Sequence, residues 1–233
     1  HGGCLVVQAA IVGGLTEGGE DSTNELTYIF LDVMEQLGLR DPNYQARIHK
    51  DCPESYLRRV VDVARKGGGV PAVFCDEAAI AALTSHGYPI SEARNYAVVG
   101  CVELALPGKS FFSTDAGLMN LPLCLELALN QGRRFGKKSK LGADTPDPLT
   151  MANMDQVVDA FRRQVAFMVK RMVDDLRVME RGNRDYHPTP FSSMLVDGCI
   201  ENGRDVTAGG AHYNSSGVQG VGLADVADSL AAM

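Results

Sequence analysis

The stretch that decides the fold is Asn95 to Asn130, NYAVVGCVELALPGKSFFSTDAGLMNLPLCLELALN. Tyr96 to Val99 reads as a short buried strand that runs into Gly100, Cys101, Val102 and Glu103, and a loop rich in Gly, Pro, Ser and Thr carries the chain on to about Asp115. Ala116 to Asn130 then reads as a helix, with Pro122 near its start. Cys101 alone has an ordinary explanation, since a cysteine closing an apolar strand is usually a small buried hydrophobe. Glu103 changes its meaning. If residues 101 to 103 are extended, side chains two apart share a face, about 7 Å apart along the chain, and a thiol and a carboxylate then reach one small substrate from the same side.

Upstream of this stretch, strand and helix signals alternate. CLVVQAAIV at 4 to 12 is a continuous apolar run suited to a buried strand, and Gly13 to Asp21 is a loop. Ser22 and Glu25 have capping-box spacing ahead of the amphipathic pattern Leu26, Ile29, Phe30, Val33 and Leu37, which Gly38 ends. Ala46 to Lys50 reads as a short strand, and Asp51 with Glu54 opens a second helix that Gly67 to Gly69 stop. VPAVF at 70 to 74 is a further strand and Asp76 to Leu83 a further helix. This order indicates an α/β architecture with parallel strands.

Downstream the chain is largely helical. After Pro146 and Pro148 comes the longest helix, Asp155 to about Arg181, whose Val158, Phe161, Val165, Met168, Met172, Val173 and Leu176 keep helical spacing and read as core packing. Phe191 to Cys199 reads as a short helix. The glycine-rich segment from Gly209 to Gly222 reads as a close-packed backbone turn, because glycines at 217, 220 and 222 do not give the dinucleotide-binding spacing.

Composition narrows the function classes. The 233 residues are 45% hydrophobic and 22% charged, which excludes disordered and fibrous classes. A net charge of -7 argues against a nucleic-acid partner, and the one cationic cluster, Arg133, Arg134, Lys137, Lys138 and Lys140, reads as a solvated loop. No apolar run reaches the roughly 18 residues of a membrane span, and no signal pattern opens the chain, so a cytoplasmic protein with no membrane partner is expected. Six cysteines more than twenty residues apart give no metal-binding or redox pair spacing, and no metal site is expected. His49 reads as a hydrogen-bonded structural histidine. A start at His1, and an apolar run from Val221 that stops at Met233 without a cap, predict an internal piece of a longer chain.

Residues 95 to 130 resemble the cysteine-loop region of glycyl radical enzymes, in which G-C-V-E is followed by a P-G-K turn. Similar correspondence runs through DSTNELTYIFLD at 21 to 32, RIHKDCPESYLRR at 47 to 59, GGGVPAVFCDE at 67 to 77 and GGAHYNSSGVQGVGLADVADSLAA at 209 to 232. The resemblance is to the pyruvate formate-lyase-like superfamily, in its glycerol and diol dehydratase branch. It implies a fold, part of a ten-stranded α/β barrel with a largely helical second half. Residues 1–233 would then be a single incomplete domain, with the cysteine loop at about 96–115 and the helical region at 151–233.

The resemblance also implies roles. Cys101 becomes the thiyl radical that takes a hydrogen atom from a substrate carbon, and Glu103 the base that accepts a hydroxyl proton. Asp115 matches a position contacting substrate hydroxyls, and Thr114 one contacting substrate in choline-using relatives; as residues alone, both equally suit the N-cap of the 116–130 helix. The radical would be stored on a glycine in a C-terminal R-V-x-G-Y type loop that this sequence lacks, so no cofactor is expected on this chain. An S-adenosylmethionine and iron-sulfur activating enzyme would install that radical, and the full-length enzyme would be a homodimer. The implied activity is radical elimination from a small hydroxylated substrate. Formate acetyltransferase-like acyl transfer, arylacetate decarboxylation, elimination from choline, hydroxyproline or sulfonates, and an inactive structural piece are the alternatives. Formate acetyltransferase relays its radical through adjacent cysteines, whereas Gly100 precedes Cys101 here.

Overall fold

The computed structural model describes residues 9–38, 42–100 and 102–233, with the backbone alone at 112–114. They fall into two compact units, one running through Phe111 and including Leu195–Asp197, the other comprising Phe112–Met194 and Gly198–Met233.

The first unit is built on strand–helix repeats: β1 (Ala9–Gly13), α1 (Glu25–Leu37), β2 (Asn43–Ile48), α2 (Glu54–Ala64), β3 (Ala72–Cys75), α3 (Asp76–Ser85) and α4 (Ile90–Arg94). The strands form a parallel sheet in the order β1-β2-β3, with Ile11 opposite Gln45 and Arg47 opposite Phe74. The sequence of β2, NYQARI, alternates polar and apolar residues, so its two faces differ. Tyr44 and Ala46 join Val12, Leu31 and Met34 of α1, and Tyr56, Val60 and Val63 of α2, in one buried core against which Ile48 also packs. Each large side chain in that cluster contributes on the order of 1.5–3 kcal/mol through removal of apolar surface from water. Asn43, Gln45 and Arg47 occupy the opposite face.

Two helix starts differ from the sequence expectation. Asn24, not Ser22, caps α1: its side-chain oxygen accepts from the Leu26 and Thr27 amides at 3.0 and 3.3 Å, and the Thr27 hydroxyl accepts from the Asn24 amide at 3.2 Å. Ser22 is occupied elsewhere, donating to the Gly14 carbonyl at 2.9 Å. The α2 helix starts after Pro53 with no side-chain cap, so Asp51 does not open it. Asn24→Ala should destabilise the protein by about 1 kcal/mol, a loss measurable by denaturant unfolding of parent and variant.

The first unit closes with a hairpin, β4 (Ala97–Val99) and β5 (Glu103–Ala105), and the second holds most of β6 (Ser110–Asn120), with α5 (Leu121–Leu129), α6 (Met154–Tyr186), α7 (Pro190–Ser193), β7 (Tyr213–Val221) and α8 (Leu223–Ala231). The expected helix from Ala116 is corrected here: residues 110–120 are a strand, and α5 begins at Leu121, with Asn120 accepting from the Leu123 amide at 2.9 Å and Pro122 in the first turn. The strand's partner is β7, which corrects the turn expected at 209–222. Left-handed glycines remain only at its margins, at Gly209 (φ 80°) and Gly222 (φ 84°). The helix expected to reach Cys199 ends at Ser193.

The long helix forms as expected, but of the stripe read as core only Leu176 is buried, most of the others being half-buried. Ala160, Gln164 and Leu176 are buried and Val173 is exposed. Gln164 bridges both backbone groups of Ala143, accepting at 2.9 Å and donating at 2.8 Å, which ties the preceding loop to α6. Among the described residues no helix is long and apolar enough to cross a membrane.

Candidate active site

The β4–β5 hairpin pairs Val99 with Glu103, Val98 with Leu104 and Ala97 with Ala105. Its connection contains Gly100, whose φ of 61° lies in the left-handed region that glycine adopts without penalty, and Val102, a turn residue. The extended geometry expected for residues 101–103 therefore does not hold at Val102, where the chain turns between β4 and β5. Cys101 itself lies outside the described residues. Glu103 is half-buried, and one carboxylate oxygen accepts from the Val102 amide at 3.0 Å. That bond tucks the carboxylate back over the turn: a Cβ at position 100 would meet it at 3.0 Å, a second reason for glycine there.

The polar face of β2 carries the hairpin's backbone. Asn43 donates to the Gly100 carbonyl at 2.6 Å and Gln45 donates to the same oxygen at 3.4 Å. One turn of the alternation further on, Arg47 donates to the carbonyls of Tyr96 at 3.1 Å and Arg94 at 2.8 Å. Its guanidinium also meets the Asp76 carboxylate in two bonds of 2.8 Å and lies 4.0 Å above the Tyr96 ring. Asp76, wholly buried, accepts in addition from the Tyr96 hydroxyl and the Leu15 amide, each at 2.8 Å. Burial and the bond to Asp76 push the Tyr96 phenol well above its ordinary pKa, so it serves as a neutral donor. Sequence reading missed this face. The available signal was the alternation in NYQARI, hidden because the strand was read as starting only at Ala46.

The remaining predicted residues lie in the second unit. Thr114 and Asp115 are on β6, so neither caps a helix, and the side chain of Thr114 lies outside the described residues. Asp115 has a left-handed φ of 54°, is exposed, and accepts a hydrogen bond from the side-chain Nε2 of Gln219 on β7. A non-glycine residue held at positive φ is uncommon and often marks a functional position.

His49, immediately after β2, is buried and hydrogen-bonded through Nε2 to Asp21 at 2.9 Å, while its Nδ1 has no partner among the described residues. With Cys52 these two make a group whose potential ligand atoms lie within 4.8 Å of one another. The ring and carboxylate touch directly, closer than the roughly 3.3 Å that a tetrahedral zinc ion sets between such ligands. The group is a hydrogen-bonded histidine and carboxylate beside a thiol. Cys124 and Cys199 are buried, as expected of small hydrophobes, whereas Cys75 is exposed at the start of α3.

Comparison with known proteins follows the same lines. The family model described as "Pyruvate formate lyase-like" matches residues 1–233. The Trans-4-hydroxy-L-proline dehydratase of Clostridioides difficile is 37% identical over 221 residues, 95% of this chain and 28% of that protein. The glycerol-bound form of the B12-independent glycerol dehydratase from Clostridium butyricum superposes with a TM-score of 0.91 at 37% identity, covering 97% of this chain and 28% of that one. A glycyl radical enzyme from Archaeoglobus fulgidus gives a TM-score of 0.89 at 42% identity, over 96% of this chain and 28% of that one. The expected fold class, α/β and part of the glycyl radical enzyme barrel, is that of these structures, and the chain spans about 28% of the length of the relatives it matches.

Proposed function

The chain belongs to the pyruvate formate lyase-like family, and on that premise we propose that it carries the cysteine-loop part of a glycyl radical lyase that eliminates water from a small hydroxylated compound. The observation that carries the reading is the hairpin: a carboxylate at Glu103, folded back over a turn whose preceding residue, Gly100, is gripped by two side chains from β2. A glycyl radical elsewhere in the full-length enzyme supplies the unpaired electron that turns a thiol into a thiyl.

Cys101, as that thiyl, takes a hydrogen atom from the carbon bearing one hydroxyl and becomes a thiol again. The resulting α-hydroxyalkyl radical is far more acidic at its hydroxyl than the parent alcohol, so a carboxylate suffices as base. Glu103 accepts that proton as the C–O bond on the neighbouring carbon breaks, and the proton leaves with the departing hydroxide as water. The carbon radical recovers a hydrogen atom from the Cys101 thiol, which restores the thiyl and releases an aldehyde. Asp115 and Thr114 orient substrate hydroxyls in this reading. Installation of the radical by an S-adenosylmethionine and iron-sulfur activating enzyme, and a homodimeric whole enzyme, belong to it as well.

The test uses full-length, anaerobically activated protein incubated with glycerol, propane-1,2-diol and ethane-1,2-diol. Loss of water from at least one of them is expected. Conversion of pyruvate and coenzyme A to acetyl-coenzyme A and formate, with none of the three consumed, would overturn the proposal. Glu103→Gln should lower turnover by about 10²- to 10⁴-fold, the range of a positioned general base, with the glycyl radical signal retained. Steady-state turnover alongside radical quantification checks it.

A further inference from the structure

We infer that Asn43 and Gln45 are positioning residues that fix the backbone immediately before Cys101; the inference rests on the reading of Cys101 as the hydrogen-abstracting residue. The two stand on one face of β2, the face opposite the helices, and both carboxamides donate to a single acceptor, the Gly100 carbonyl, at 2.6 and 3.4 Å. Arg47, next on the same face, takes the carbonyls of Arg94 and Tyr96. Short β4 thus has side-chain donors from one strand on both its flanks, at 94 and 96 before it and at 100 after it.

Gln45 shows that the arrangement is not mere packing. It is wholly buried, and its Oε1 has no hydrogen-bond partner among the described residues. An unsatisfied buried acceptor is costly, and an apolar side chain of similar volume would avoid the cost. What such a side chain lacks is the Nε2 donor, the atom directed at Gly100. Hydrogen-atom transfer needs near contact between donor carbon and sulfur, so a loop free to shift by about 1 Å would forfeit on the order of 10²-fold in rate. Holding the carbonyl that precedes the cysteine is a direct way to prevent that shift.

The test compares activated full-length parent, Asn43→Asp, Gln45→Met and Cys101→Ser. Asn43→Asp keeps shape and removes the donor, and should lower kcat by about 10- to 100-fold with KM within about twofold and an unchanged glycyl radical signal per chain. Gln45→Met removes both the donor and the orphaned oxygen; it should unfold no earlier than the parent and still lose about threefold or more in kcat. A purely structural role would instead lower the melting temperature and the radical yield together. The inference is overturned if folded Asn43→Asp keeps kcat within about twofold of the parent while Cys101→Ser is inactive. If Asn43→Asp does not fold, Gln45→Met decides by the same limit. Turnover by Cys101→Ser is a different failure, that of the catalytic reading itself.

Discussion

Cys101→Ser in the activated full-length enzyme should abolish turnover, by on the order of 10⁴-fold or more, the scale seen when the group that forms the reactive bond is deleted. The cause is bond strength. A serine O–H bond is much stronger than a cysteine S–H bond, so a glycyl radical draws a hydrogen atom from the thiol and not from the hydroxyl. The substitution is nearly isosteric and leaves the grip on Gly100 in place, so folding and radical installation should persist. Electron paramagnetic resonance of the variant, measured beside product formation, checks both parts: a full glycyl signal with no product is expected. Product at a parent-like rate would assign Cys101 to packing.

Asp76→Ala should cost about 3–5 kcal/mol of stability, because it leaves the Arg47 guanidinium buried without its counter-charge. It also strips the Tyr96 hydroxyl and the Leu15 amide of their acceptor, so three donors lose one carboxylate at once. Denaturant unfolding of the full-length protein measures the loss. The double variant Arg47→Met, Asp76→Leu should recover much of it, since replacing both members of a buried pair with apolar side chains can be nearly neutral. Turnover should remain low in the double variant, because Arg47 also holds the carbonyls of Arg94 and Tyr96 at the entrance to the hairpin. A single variant as stable as the parent would show that the pair contributes nothing to the fold.

Local pattern made the first unit's helices legible. Apolar spacing placed α1 and α2 within a few residues, and the alternation of strand and helix gave the parallel sheet. The failures share a cause, which is partners distant in sequence. Residues 110–120 read as a loop and then a helix because their pairing strand, β7, lies roughly ninety residues on, and the glycines of that strand read locally as a turn. The cysteine and the carboxylate were legible from resemblance, but the assumed extension was not met at Val102, where the chain turns between Val99 and Glu103, and strand alternation cannot see that. The grip of Asn43 and Gln45 on Gly100 spans more than fifty residues, and polar side chains on a strand carry no local sign of which carbonyl they hold.

The most direct measurement is a crystal structure of the full-length protein with a vicinal diol bound. The account predicts the Cys101 sulfur against the carbon that bears one hydroxyl, with a Glu103 oxygen about 2.6–3.2 Å from that hydroxyl. A diol bound with these two side chains facing separate environments would contradict it.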